Sequence, residues 1–294
     1  AVSNIVYGDT MYSLTRRWIW SDARFDSRLA NDIAVANSAD VGNIIQKMEG
    51  TNSVLFFETI GNGKGMPVLD LENLMRRIWD TDCILVLDNT FLTCALLNPF
   101  VIMDCLETEI GHSRTFTFVY VESLSKYYRA DTEDHDPGGI IVASEKFIGL
   151  CDDELQNGGV MANSVLRKFP FSLFDACSRV MLLLSENASA AADFLRGHPF
   201  VEKVWYPDNH PVIQAEAGGQ AGGVLYFLHN DVEQGAGKRL MVAGGIPEAT
   251  SFGHPDTTHI DWSLFGEQFG LVRLAVGFME EPHEVVAKLE HALG

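Results

Sequence analysis

The sequence is poor in basic residues, with 21 Lys and Arg against 40 Asp and Glu in 294 residues and a formal net charge of −19. Proteins that bind nucleic acids need clustered Lys and Arg side chains to contact the phosphates. Docking on an anionic membrane surface needs the same kind of cluster. The shortage of positive charge therefore argues against both nucleic acid and membrane as partners.

Long apolar runs and paired cysteines are also lacking. No apolar run reaches the roughly 18 residues that a membrane-spanning helix needs, and no signal peptide opens the sequence, so we expect a cytoplasmic location. Five cysteines are scattered without a C-x-x-C pair. This spacing predicts reduced structural cysteines and no metal site. A hydrophobic content of 47% indicates a globular chain of one large or two moderate domains.

The N-terminal part alternates short apolar runs with helical periodicity. Residues 70–79 show the spacing of an amphipathic helix. Four apolar runs predict buried strands, at residues 53–58, 83–88, 115–120 and 139–143. Strands that alternate with helices predict an α/β fold with a mostly parallel sheet. Glu58 and Asp88 end two of these strands, at the edge where open α/β sheets bind ligands.

The pattern changes near residue 170. A long helix is predicted over 174–195 and a closing helix over 284–293. Between them lie three predicted strands, at residues 201–206, 223–228 and 271–276. This mixture is typical of a smaller α+β domain. We therefore expect a large domain over 1–170 and a C-terminal domain over 171–294.

A hydroxyl-rich turn with one lysine, Ser123-Leu-Ser125-Lys126, follows the strand that ends in Asp88. A lysine amine can form a Schiff base with an aldehyde, and two hydroxyls can hold a phosphate. An aspartate at a strand end can keep a pyridine nitrogen protonated. Together these groups suit pyridoxal 5'-phosphate. Taken alone, the same residues also fit a solvated surface lysine and a turn aspartate.

Several motifs in a shared order extend this observation over the whole chain. They are Tyr7-Gly-Asp-Thr, Glu58-Thr-Ile-Gly-Asn62, Asp88-Asn-Thr, Ser123-Leu-Ser-Lys126 and Leu-Val-Arg273-Leu. In these motifs the chain resembles the cystathionine γ-synthase family of pyridoxal-phosphate enzymes, the Cys/Met-metabolism group. The resemblance implies an aspartate-aminotransferase-like fold (fold type I), and a homodimer or homotetramer with shared active sites.

The resemblance also implies a role for each matching residue. Lys126 would be the Schiff-base lysine, Asp88 would pair with the pyridine nitrogen, and Asn62 would bond the phenolic oxygen of the ring. Ser123 and Ser125 would hold the phosphate.

Two further residues match the family at the substrate. Tyr7 would stack on the ring of the cofactor and take part in proton transfer, although a tyrosine packed in a core fits the same short motif. Arg273 would grip the α-carboxylate of the substrate, because a guanidinium binds a carboxylate bidentately.

The sequence departs from the family at its beginning. It starts just before the Tyr7 strand, where the family has an N-terminal segment that reaches the phosphate site of the neighbouring subunit. We expect an N-terminal arm outside the given residues. A fragment, or a degenerate relative that acts as a non-catalytic subunit, are the alternatives. The retained set of site residues argues against a non-catalytic role.

The resemblance leaves the reaction open between γ-replacement and γ-elimination. A homoserine-derived or sulfur-containing amino acid is the expected substrate. The sequence around Ser251-Phe-Gly slightly favours γ-replacement. The alternative is a lyase that cleaves cystathionine or methionine. Some methionine-cleaving relatives carry a cysteine at the position of Asp9, which argues modestly against that branch.

Overall fold

The computed structural model describes residues 4–21, 33–48, 52–128, 138–150, 172–231, 233–265 and 268–294. The chain divides into two compact units. The first unit comprises residues 1–63, 67–123 and 138–170, and the second comprises residues 64–66, 124–137 and 171–294. The domain limits expected from the sequence stay a prediction.

A six-stranded sheet forms the centre of the first unit. Its strands are β1 (Asn4–Gly8), β2 (Ile33–Ala36), β3 (Ser53–Glu58), β4 (Ile84–Asp88), β5 (Thr117–Ser123) and β6 (Gly139–Ala143). The order is β2-β1-β3-β4-β5-β6, with β1 to β5 parallel and β6 antiparallel to β5. The mostly parallel sheet confirms the predicted fold class.

The helices of the first unit begin and end at recognisable signals. They are α1 (Ser13–Ser21), α2 (Val41–Lys47), α3 (Leu71–Ile78), α4 (Thr93–Leu96), α5 (Pro99–Ile110) and α6 (Glu145–Leu150). Asp70 caps α3 by accepting from the Asn73 N–H. The periodic apolar residues of α3 are all buried. Gly111 ends α5 in the left-handed conformation, which glycine adopts at little cost.

The parallel register aligns the carboxyl ends of the central strands. Glu58 at the end of β3 is the direct partner of Asp88 at the end of β4. Asp88 is in turn the partner of Val121, two residues before β5 ends. The predicted strand over 115–120 lies slightly later in the structure, because Thr115 bonds the carbonyl of Trp79 at the end of α3 and pairing with β4 starts at Thr117.

The second unit contains an antiparallel sheet of four strands. These are β7 (Val201–Trp205), β8 (Val224–His229), β9 (Thr258–Asp261) and β10 (Leu271–Ala275), in the order β7-β8-β10-β9. Its helices are α7 (Ser172–Gly197), α8 (Pro211–Glu216), α9 (Ala236–Ala243) and α10 (Pro282–Leu293), with short 3-10 turns over Pro207–Asn209 and Trp262–Phe265. The long helix, the three strands and the closing helix predicted here are confirmed.

The core of the second unit is tied together by buried polar groups as well as apolar ones. Asn187 on α7 is 1% exposed, and its side-chain amide donates to the carbonyls of Gly277 and Glu280 at 2.8 and 2.7 Å. The loop after β10 is thereby fastened to α7, since buried carbonyls need a donor. Among the described residues, no helix combines the length and the apolar character that crossing a bilayer requires.

One buried histidine of this unit has a consequence for stability. His229 at the end of β8 is 1% exposed, and its ring is stacked on Phe200 at a centroid distance of 6.0 Å. No described residue bonds its two ring nitrogens. Burial lowers the pKa of His229, and the charges of Asp261 and Asp231 oppose this only in part.

We expect the folded protein to lose stability as the pH falls below about 6.5, because the unfolded chain then takes up a proton that buried His229 refuses. His229→Phe removes this proton uptake and preserves the stacking surface. Between pH 7 and pH 5 the variant should lose less unfolding free energy than the wild type, by on the order of 1 kcal/mol. Urea unfolding at several pH values measures this, with His283→Phe at an exposed helix position as the control. Parallel pH profiles for wild type and His229→Phe would contradict the expectation.

Candidate active site

The first unit holds Tyr7, Asn62, Asp88 and Ser123 of the predicted site. Asp88 is half-buried at the end of β4, and its Oδ1 accepts from the Thr90 N–H at 2.9 Å and from the Thr90 hydroxyl at 2.6 Å. Within the described residues, Thr90 is the only donor to Asp88. Burial raises the pKa of Asp88, and the two bonds from Thr90 oppose that rise. The second carboxyl oxygen is therefore available to a cationic donor.

Thr90 links Asp88 to the end of β5. The backbone N–H of Ser123 donates to the Thr90 hydroxyl at 3.0 Å, and that hydroxyl donates onwards to Asp88. This chain of hydrogen bonds links the predicted ring-binding carboxylate to the predicted phosphate-binding serine. Sequence analysis assigned no role to Thr90, although a threonine two residues after a strand-end aspartate is a common turn signal.

Glu58 lies at the end of the neighbouring strand, and its sequence motif alone assigned it no role. It is 8% exposed, and its two carboxyl oxygens accept from the backbone N–H groups of Tyr12 at 2.8 Å and Asn62 at 3.0 Å. Burial raises the pKa of Glu58 to about 8, and the charge of Asp88 adds to the rise. The sequence signal was an acidic residue at the end of an otherwise apolar strand.

Tyr7 lies within β1 and Asn62 lies in the loop after β3. Tyr7 is 2% exposed and belongs to an apolar cluster with Ile5, Met11 and Ile19. Its surroundings in the first unit are thus those of a packed tyrosine, and its role at the cofactor stays a prediction. Asn62 is half-buried, and its backbone is held by Glu58.

In the second unit, burial alternates along the turn that carries Lys126. Leu124 and Tyr127 are buried, whereas Ser125 and Lys126 between them are only half-buried. Lys126 Nζ donates to the Ser251 hydroxyl at 2.5 Å and lies 4.8 Å from the centroid of the Phe252 ring. The amine is therefore held in one orientation rather than free in solvent.

Arg273 meets the same segment from the sheet. It lies on β10, is 4% exposed, and donates from Nη2 to the carbonyls of Thr250 and Ser251 at 2.7 and 3.3 Å. Its guanidinium carbon is 5.8 Å from the Phe252 ring centroid. Residues 250–253 thus contact both the predicted Schiff-base lysine and the predicted carboxylate-binding arginine, and the structure brings these two together.

Gly253 permits this close approach. Its φ is +83°, and a Cβ at this position would lie 2.8 Å from the carbonyl carbon of Lys126 and 3.0 Å from its oxygen. Real Cβ atoms do not approach backbone so closely, so any other residue must displace the lysine turn. Sequence analysis assigned no role to this glycine.

We expect Gly253→Ala to displace Lys126, and Gly245 provides a matched control. Gly245 has a φ of +76° and open space around a Cβ, so Gly245→Ala carries the backbone strain alone. Both variants should lose about 1 kcal/mol of unfolding free energy from the left-handed conformation. Only Gly253→Ala should also lose reaction of Lys126 with pyridoxal phosphate, by roughly tenfold in rate. Urea unfolding measures the loss of stability, and the amount of adduct trapped by borohydride measures the reaction of Lys126. Equal rates of adduct formation in the two variants would contradict the displacement of Lys126.

The donor set present fits pyridoxal phosphate. The second unit offers an oriented amine and a buried guanidinium, and the first unit offers a half-buried carboxylate with an acceptor oxygen to spare. Ser123 and Ser125, both half-buried, supply hydroxyls. Among the described residues, no group of three or more His, Cys, Asp or Glu side chains is arranged to hold a metal ion.

Comparison with known proteins agrees with this chemistry. Residues 1–105 match the family model described as Cys/Met metabolism PLP-dependent enzyme. The chain is 26% identical to L-methionine gamma-lyase of Treponema denticola, over all of this chain and 73% of the relative. It is 29% identical to cystathionine gamma-synthase of Haemophilus influenzae, over 78% of this chain and 53% of the relative.

The fold agrees as well. The crystal structure of apo CalE6, a methionine gamma lyase from Micromonospora echinospora, matches 99% of this chain and 76% of its own, with a TM-score of 0.78 at 20% identity. This likeness shows the aspartate-aminotransferase-like fold of type I. The family model over residues 1–105, the relatives that span most of this chain and the shared fold all support the Cys/Met metabolism family of pyridoxal-phosphate-dependent enzymes.

Proposed function

We propose that the protein carries out pyridoxal-phosphate-dependent γ-replacement or γ-elimination on a homoserine-derived or sulfur-containing amino acid. The observation that carries the proposal is the segment 250–253, which contacts both Lys126 and Arg273. One of these side chains is the amine that such chemistry needs, and the other is a buried cation for the substrate carboxylate. The relatives named methionine gamma-lyase and cystathionine gamma-synthase support this reaction class.

Six residues would hold the cofactor. Lys126 would form the Schiff base, Asp88 would bind the ring nitrogen and Asn62 the phenolic oxygen, while Tyr7 would stack on the ring. Ser123 and Ser125 would hold the phosphate, and Lys126 follows Ser123 by only three residues. When bound, pyridoxal phosphate supplies an electron sink for negative charge that develops on the substrate carbons.

Lys126 would act as the proton carrier. As a free amine, Nζ would be a base able to remove a proton from the α-carbon of the substrate. The Ser251 hydroxyl, 2.5 Å from Nζ, restrains the rotation of the long side chain. Such orientation lowers the barrier because the base need not search for its proton.

Arg273 would orient the substrate. Its guanidinium is buried on β10, where two backbone carbonyls of residues 250 and 251 accept from Nη2. A guanidinium held in this way can meet a carboxylate bidentately, which fixes the substrate in one direction. Arg273→Lys should therefore raise KM by roughly tenfold or more while pyridoxal phosphate still binds.

A C–S lyase acting on methionine or cystathionine is the second candidate. It is favoured by relatives named methionine gamma-lyase, including that of Pseudomonas putida at 26% identity over 98% of this chain. Asp9, at the position where some methionine-cleaving relatives have cysteine, accepts from the backbone and hydroxyl of Ser38. Because Asp9 is engaged within its own unit, we place γ-replacement first.

A homodimer or homotetramer with shared active sites and a cytoplasmic location are further parts of this proposal. Both depend on the family resemblance. A non-catalytic role is the weakest alternative, because it would not explain why Lys126 is oriented and why Arg273 is buried.

The cofactor lysine can be tested directly. We expect purified protein with pyridoxal phosphate to show a visible absorption band that borohydride abolishes, and Lys126→Ala to lack that band. Lys203→Ala is the control, since Lys203 Nζ also lies over an aromatic ring, 5.2 Å from the Trp205 centroid. A band that survives in Lys126→Ala, or its absence from the wild type, would overturn the assignment.

The reaction type can be tested on the same preparation. With an O-acyl-homoserine and a thiol, γ-replacement consumes the thiol and forms a thioether. With methionine or cystathionine alone, elimination forms ammonia and a ketoacid without an added nucleophile. We expect turnover of the O-acyl-homoserine to depend on the thiol. Faster ketoacid formation from methionine alone would make the lyase the better description.

A further inference from the structure

Glu58 joins two loops at one edge of the first sheet. Its Oε1 accepts from the backbone of Tyr12, in the segment between β1 and α1, and its Oε2 accepts from the backbone of Asn62, in the loop after β3. Both bonds are short and well within hydrogen-bond range. A single buried carboxyl group therefore fixes the chain on either side of β3.

The two loops are packed without spare room. A Cβ at Gly61 would lie 2.0 Å from the Thr10 hydroxyl oxygen and 2.8 Å from Cγ of Pro67. Gly61 precedes Asn62, and Thr10 lies three residues after Tyr7. The segment that follows the β1 strand of the predicted stacking tyrosine and the loop that carries the predicted ring-binding asparagine thus touch each other, and Glu58 bonds to both.

Glu58 also stands next to the predicted ring-nitrogen partner. In the parallel register the Cα of Glu58 is opposite that of Asp88, so two carboxyl groups end neighbouring strands. Among the described residues no cation acts on Glu58, whose neighbours are the two backbone N–H groups and the like charge of Asp88. Two adjacent buried carboxyl groups favour a state with one proton between them.

We propose that Glu58 is a positioning residue for pyridoxal phosphate: it fixes the segment after the Tyr7 strand and the loop of Asn62, and it is the neutral member of a carboxyl pair in which Asp88 carries the single negative charge. This inference rests on the proposed function, since it concerns the same cofactor. One negative charge at this edge matches one protonated ring nitrogen. Burial and the charge of Asp88, which raise the pKa of Glu58, agree with its neutral state.

Three substitutions separate positioning from general stability. Glu58→Gln keeps the size and the neutral charge, but its amide can accept only one of the two backbone bonds. Glu58→Ala loses both bonds. Asp70→Ala removes the N-cap of α3, at the far end of the loop that carries Asn62, and so lowers stability while both acceptor oxygens of Glu58 are kept.

The first measurement is the dissociation constant of pyridoxal phosphate from the apo protein, followed by protein fluorescence at pH 7. We expect Glu58→Ala to weaken binding by roughly 100-fold and Glu58→Gln by roughly tenfold, which corresponds to the loss of two bonds and of one. Asp70→Ala should bind within about twofold of the wild type. The partial rescue by glutamine distinguishes a hydrogen-bonding role from mere filling of space.

The second measurement is the pH midpoint of the visible band of the bound cofactor. Because Asn62 would bond the phenolic oxygen, its displacement in Glu58→Gln should move that midpoint by roughly half a pH unit or more. Loss of stability alone, as in Asp70→Ala, should leave the midpoint unchanged. Urea unfolding of each variant confirms that the measured protein is folded.

The outcomes are distinct. Failure of the wild type to bind pyridoxal phosphate would overturn the proposed function itself. If the wild type binds and Asn62→Ala weakens binding, but Glu58→Gln and Glu58→Ala match the wild type in affinity and midpoint, then the role of Glu58 is wrong. If Asp70→Ala weakens binding as much as Glu58→Ala, the effect is one of stability and the inference is also overturned.

Discussion

The parallel register of β3, β4 and β5 is the constraint on which the first unit depends. It makes Glu58 and Asp88 direct partners and ends β5 at Ser123, two residues beyond the partner of Asp88. A slip by one residue would move every side chain of a strand to the opposite face of the sheet and disrupt its packing there. The packing of the apolar residues therefore fixes the positions of the polar residues at the strand ends. Thr90 then links Asp88 to Ser123 through hydrogen bonds.

In the second unit, a loop rather than a sheet edge positions the predicted site residues. Residues 250–253 reach the amine of Lys126 through a hydroxyl, the guanidinium of Arg273 through backbone carbonyls, and both cations through the face of Phe252. Aromatic faces attract cations at such distances. The arrangement orients two positive groups, and it depends on Gly253, because no side chain fits against the Lys126 backbone.

The clearest apolar runs and periodic stretches of the sequence predicted the strands and helices well. The apolar run 53–58 is a strand with the same bounds in the structure, and the periodic stretch from Leu71 to Ile78 is a helix whose four apolar positions are all buried. Several boundaries moved by a few residues, and the start of β5 moved because Thr115 bonds the end of α3 before the ladder with β4 begins. The local sequence around Thr115 does not predict this bond, because its partner Trp79 lies 36 residues away.

By itself, the sequence determined the α/β class, the strand end that carries Asp88, and the family motifs around Ser123, Lys126 and Arg273. These follow from local periodicity and from residue types that chemistry requires. Only the tertiary structure decided that Glu58 bonds the loops of Tyr12 and Asn62, and that residues 250–253 contact Lys126 from more than 120 positions away. The physical reason is that buried polar groups choose partners by packing in space, and spacing along the chain does not encode those partners.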